Sequence, residues 1–173
     1  MEIVKRLCEI LPYDSERSAA VEFGSTVEVY HGNSLYDYEI NCWKVICIQE
    51  NQSRYEDLRI QRRLCLNVDC VGPNRITLDQ ALSRINIEDI RILLIKNTTN
   101  VLDVLKGFSL EQRKTKLICI EQLEHESLAV TSYLSSKGYR FQERHIVSNI
   151  YLRDDDFVPS EPSAGSFENI FEI

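Results

Sequence analysis

At 173 residues the chain has the length of one domain. Its 43% hydrophobic and 27% charged residues match a folded globular protein and exclude a disordered or low-complexity chain. Twenty Lys and Arg against 27 Asp and Glu leave a net charge of -7, which argues against nucleic acid or an anionic membrane as the main partner.

No apolar run approaches the ~18 residues of a membrane span, and the opening MEIVKRLCEILP is too charged for a secretory leader, so the expected location is cytoplasmic. The six cysteines, Cys8, Cys42, Cys47, Cys65, Cys70 and Cys119, form no C-x-x-C pair, and four of them lie in apolar runs. Core thiols in a reducing compartment are the reading this favours over disulfides. His31, His125 and His145 stand apart from any cysteine pair, so no metal site is expected.

In chain order, Ile3, Val4, Leu7, Ile10 and Leu11 recur at helical spacing and stop at Pro12. The apolar run 19–23 reads as a buried strand that turns at Gly24-Ser25. A second strand spans 45–48, and a helix follows over 53–63 with Ser53 as cap and Glu56 at the capping-box position. A third strand at 64–71 must stop at Gly72-Pro73. Thr77, with Gln80 three residues on, caps a helix over 77–82. Strand 90–95 leads to a helix from Val101 that Gly107 should close in a left-handed cap. Strand 117–120 precedes a helix over 126–136, closed at Lys137-Gly138, and 139–153 holds two strand runs parted by Arg144-His145.

Apolar runs alternating with helical patterns specify an α/β fold: parallel strands joined by crossover helices, with an antiparallel pair at the end. Two basic stretches, Arg59, Arg62 and Arg63, and Arg113, Lys114 and Lys116, read as solvated faces. The domain covers 1–153. The remaining 154–173 is acidic and rich in Pro and Gly, and reads as a flexible tail. Within it Phe167, Ile170 and Phe171, at i, i+3 and i+4, give an apolar turn suited to docking on a protein partner.

Three stretches, in order, resemble the FkbM family of S-adenosylmethionine-dependent methyltransferases. ILLIKNTTNVLDVLKG (92–107) is similar without a gap to LLKIDVEGYELEVLKG, and TLDQAL (77–82) stands where the family has TLDDLL. WKVICIQENQSRYEDL (43–58) resembles WKGICIEPNPxxYExL, and VEFG (21–24) resembles VEIG. LICIEQL (117–123), GYRF (138–141) and SNIYLR (148–153) look like the fifth strand and closing hairpin. The resemblance implies a Rossmann-like methyltransferase sheet, mostly parallel with a C-terminal antiparallel hairpin and helices on both faces. It places S-adenosylmethionine over the carboxyl ends of the first two strands.

On that resemblance the cofactor-binding positions are Glu22, Gly24, Gln49 and Glu50. Gly24 keeps the glycine of the first turn, but Val27 and Glu28 replace the family's Asp and second Gly. Gln49 stands where the family has the acid that takes the ribose hydroxyls. Glu50 offers a carboxylate, although strand alternation points it to the opposite face. After the fourth strand, Lys96, Thr98 and Val101 replace three acids, and Lys96 would repel a sulfonium by roughly 3 kcal/mol at ~5 Å. Alternatively, Lys96 turns outward and pairs with a nearby acid. Glu22 is alone on an apolar strand, where it binds either ligand or the first helix. Glu121, at the end of the fifth strand, is the remaining candidate general base, against the plainer reading of a solvated strand end. The segment before TLDQAL is shorter than in the family, and the adenine side is correspondingly trimmed.

These features lead to a methyltransferase-like pseudoenzyme that keeps the fold and acts as a binding or structural subunit. The alternative is an active O-methyltransferase of a small hydroxylated substrate such as a sugar. A third reading makes the tail a recruitment peptide on an inert domain.

Overall fold

The computed structural model describes residues 3–12, 18–25, 34–68, 76–87, 89–96, 100–121 and 127–155. Val27, Glu28, Cys70, Thr98 and the tail residues Phe167, Ile170 and Phe171 lie outside them, as does most of the short segment before Thr77.

The chain runs α1 (Ile3–Ile10), β1 (Ala19–Phe23), α2 (Tyr36–Ile40), β2 (Lys44–Gln49), α3 (Gln52–Gln61), β3 (Cys65–Asn67), α4 (Leu78–Ser83), β4 (Ile90–Ile95), α5 (Val101–Lys106), β5 (Leu117–Glu121), α6 (Ser127–Ser136), β6 (Tyr139–His145) and β7 (Ser148–Arg153). The strands form one seven-stranded sheet in the order β3-β2-β1-β4-β5-β7-β6. β1 to β5 are parallel, and β7 is antiparallel to β5 and β6. This is the α/β sheet with a closing antiparallel hairpin that the sequence specifies. The chain leaves β1 toward β2 on one side and returns to β4 on the other. The carboxyl ends of β1 and β4 therefore mark the switch point of the sheet.

Alternation sorts the strand residues into two cores. Val21, Phe23, Ile46, Ile48, Leu93 and Ile95 pack with residues of α4, α5 and α6. Ala20, Val45, Cys47, Ile92 and Leu94 pack with residues of α1, α2 and α3. β1 is buried at every position because both its faces are covered.

Local chemistry corrects several sequence expectations. The cap of α3 is Asn51, whose Oδ1 accepts the Arg54 N–H at 3.0 Å, rather than Ser53. Thr77 and Gln80 do form the reciprocal capping box. Gly107 sits at φ -83 and is no left-handed cap. It is small because a Cβ there would meet Thr77 Cβ at 3.2 Å, where α4 crosses the end of α5. Gly138, at φ 80, does take the left-handed conformation after α6. The hairpin turns at Ile146-Val147, not at Arg144-His145, with Ile146 at φ 57. α2 has no counterpart in the sequence reading.

Candidate functional site

Glu22, Gln49 and Lys96 come together at the carboxyl ends of β1, β2 and β4. Cys47 is the register partner of Glu22 on β2 and packs with the α1–α3 core, as does Leu94 on β4. Alternation then puts Glu22, Gln49 and Lys96 on that same face.

Glu22 is fully buried. Its Oε2 accepts the Leu35 N–H at 2.9 Å, at the start of α2, and Arg62 Nη1–H at 3.2 Å. It thus ties β1 to α2, not to α1. Arg62, the residue that ends α3, is 4% exposed. Its Nε–H donates to Glu39 Oε2 at 2.6 Å, and its guanidinium lies 5.8 Å from the centre of the Tyr36 ring. Glu39 Oε1 accepts the Arg63 N–H at 2.7 Å. The Arg62 reading as part of a solvated basic face is therefore corrected. The helix ends there, and the side chain turns inward between two carboxylates of another helix and strand.

Lys96 is 8% exposed, and its Nζ stands 3.9 Å from Glu22 Oε1. It does pair with an acid, but inward. Two carboxylates and two cations thus form a neutral buried quartet, and these four are the buried charged side chains among the described residues. Taking such charges out of water costs several kcal/mol per ion, so each depends on its partners. Glu22 Oε1 and Arg62 Nη2 have no hydrogen-bond partner among the described residues. Glu39 and Arg62 were invisible to motif reading. The available signal was Glu39 between Tyr38 and Ile40 in YDYEI, and Arg62 at a helix end between Leu58 and Leu64.

Gly24 holds the turn after β1 at φ 74, and a Cβ there would lie 1.9 Å from the Lys96 carbonyl oxygen. The glycine is required for the backbone of β1 to pass that of β4. Gln49 is 5% exposed. Its Nε2–H donates to the Ser25 carbonyl at 2.6 Å, and its Oε1 accepts the Asn51 N–H at 2.9 Å, so the carboxamide ties the first turn to the cap of α3. Glu50 follows in the bend, half-buried. Glu121 is half-buried at the end of β5, two strands from β1, opposite Ser148. Val101 is buried in the apolar core at the start of α5. An open cavity of about 390 Å³ lies at the other end of the sheet, lined by residues including Arg91, Lys116, Lys137 and Arg153.

No family model matches the sequence, and no curated protein does. Solved structures do. The precorrin 8W decarboxylase of Methanobacterium thermoautotrophicum is 14% identical, with a TM-score of 0.59 over 86% of this chain and 88% of that one. M. capricolum TrmK, in complex with S-adenosyl-homocysteine, is 12% identical with a TM-score of 0.51 over 85% and 66% of the two chains. A SAM-dependent methyltransferase from Archaeoglobus fulgidus is 12% identical with a TM-score of 0.51 over 82% and 72%. The chain has the Rossmann-like fold of these structures. Among the described residues no helix is long and apolar enough to cross a membrane.

Proposed function

We propose that this is an FkbM-like methyltransferase-fold protein that has given up methyl transfer and serves as a binding or structural subunit. The observation that carries the reading is the internal use of Glu22. The carboxylate nearest the switch point is held by Leu35 N–H, Arg62 and Lys96.

S-adenosylmethionine does not fit the donor set at these strand ends. Its ribose diol calls for a carboxylate at the end of the second strand. Gln49 supplies a carboxamide already bonded on both of its polar atoms. Its sulfonium calls for negative charge near the end of the fourth strand, where Lys96 stands. The full repulsion expected from Lys96 is muted, because Glu22 lies 3.9 Å from its Nζ and neutralises it. What opposes the cofactor among the described residues is thus that Gln49 and Lys96 stand where acids are called for, more than the charge on Lys96. The FkbM-type motifs that persist, around Gly24, Asp79 and Gly107, make backbone contacts and tie loops together, which supports a retained scaffold.

Calorimetric titration of the full chain with S-adenosylmethionine and S-adenosylhomocysteine tests this. No heat of binding is expected from either at millimolar ligand. Micromolar affinity for either would overturn the reading in favour of a working O-methyltransferase.

A further inference from the structure

Cys47 in β2 and Cys65 in β3 are Cα partners on neighbouring parallel strands. Adjacent strands lie about 4.7–4.9 Å apart, within the roughly 4.4–6.8 Å over which Cα atoms accept a disulfide. Register partners leave a sheet on the same side, and both thiols are reduced. Both side chains belong to the α1–α3 core, and the Cys65 S–H points to the Arg62 carbonyl oxygen at 4.0 Å.

The two differ in access. Cys47 is fully buried on the central side of the pair. Cys65 is half-buried and opens β3, the three-residue strand at the edge of the sheet. The neighbouring Cys47 thiol, and after it the Arg62 guanidinium, hold the Cys65 pKa below the usual thiol value against the opposing effects of burial and of Glu39 and Glu22. The Cys65 neighbour, together with burial, pushes Cys47 up. An accessible thiolate-prone cysteine beside a protonated neighbour is the arrangement of an attacking and a resolving thiol.

We propose that Cys47 and Cys65 form a reversible dithiol–disulfide site that responds to low-molecular-weight disulfides such as oxidised glutathione. The Cys65 thiolate attacks one sulfur of the oxidant, the oxidant's S–S bond breaks, and glutathione leaves as a thiolate that takes up the proton lost from Cys65. Cys47 then loses its proton and attacks the Cys65 sulfur of the mixed disulfide. This forms the Cys47–Cys65 bond and expels a second glutathione, which takes the proton. Two protein thiols are oxidised and one glutathione disulfide is reduced to two thiols. The bond fastens edge strand β3 to β2 beside Arg62, whatever the fate of methyl transfer.

The test incubates the native full-length chain with oxidised glutathione, blocks remaining thiols, and maps disulfides by non-reducing proteolysis and mass spectrometry. Fragmentation between Cys65 and Cys70 assigns the bridge. The expected product is a Cys47–Cys65 link with the mass of two hydrogens lost, reversed by dithiothreitol. Cys47→Ser should trap glutathione on Cys65, and Cys65→Ser should leave Cys47 unmodified over the same time. In the wild type, iodoacetamide should reach Cys65 more than about tenfold faster than Cys47 or Cys119. A bridge through Cys70, no bridge in the wild type, or modification of Cys47 ahead of Cys65 would overturn the proposal.

Discussion

The core under α4, α5 and α6 buries aliphatic and aromatic side chains such as Phe23, Leu93 and Ile118. The opposite core, under α1, α2 and α3, is built around Glu22, Glu39, Arg62 and Lys96 as well as hydrocarbon. Both sides come from the same strands by alternation, so the fold alone does not demand ions on one of them. Apolar residues of similar volume stabilise a core at least as well as a buried ion pair does. The charged side is therefore where side chains other than hydrocarbon are held in place by one another. The apolar side is where packing alone decides.

The largest contrast should come from removing one ion. Arg62→Met leaves Glu22 and Glu39 buried without their guanidinium, and a loss of about 3–5 kcal/mol is expected in urea unfolding. Arg113→Met removes a partner of Asp79 that remains partly exposed, and should cost only about 1–2 kcal/mol. Equal losses would show that burial of the quartet carries no special weight.

The two tight glycines sharpen the same comparison. Gly24→Ala must hold φ 74 and displace the Lys96 carbonyl, at an expected cost of about 3 kcal/mol or more. Gly107→Ala meets Thr77 Cβ at 3.2 Å from an ordinary backbone conformation and should stay within about 1 kcal/mol. Thermal unfolding of both variants decides it.

Alkaline pH probes the charged side through Cys119. Burial pushes its thiol up to about 12, against an unfolded value near 9. A folded pKa above the unfolded one gives stability that is complete below about pH 9 and is lost as pH rises toward 12. The linked contribution is on the order of 4 kcal/mol. Cys119→Val should flatten the fall in stability across that window relative to wild type. An unchanged slope would refute the linkage. The smallest effect is expected at the cap of α4: Thr77→Ala should cost about 1 kcal/mol in urea unfolding.

Strand positions were legible where short apolar runs are bounded by turn residues, as at Ala19–Phe23 and Ile90–Ile95, because burial on both faces leaves no alternative. Helix α4 was legible because Thr77 and Gln80 satisfy its first N–H groups through side chains fixed in sequence. Helix α2 was not, since only five residues form it and its stability comes from Tyr38 and Glu39 docking into the core. The positions of Glu22, Gly24, Gln49 and Lys96 at neighbouring strand ends followed from the family resemblance and strand alternation. Their partners did not. Arg62 reaches Glu22 across 40 residues and Glu39 across 23, through the crossovers, and no local spacing encodes that meeting.

Glu22, the buried carboxylate at the end of β1, is spent inside the protein on Leu35 N–H, Arg62 and Lys96. The most direct measurement is the melting temperature of the full chain with and without millimolar S-adenosylhomocysteine. An unchanged Tm is the expected result. Stabilisation of about 2.7 kcal/mol, that of a ligand at a hundred times its Kd, would contradict the account.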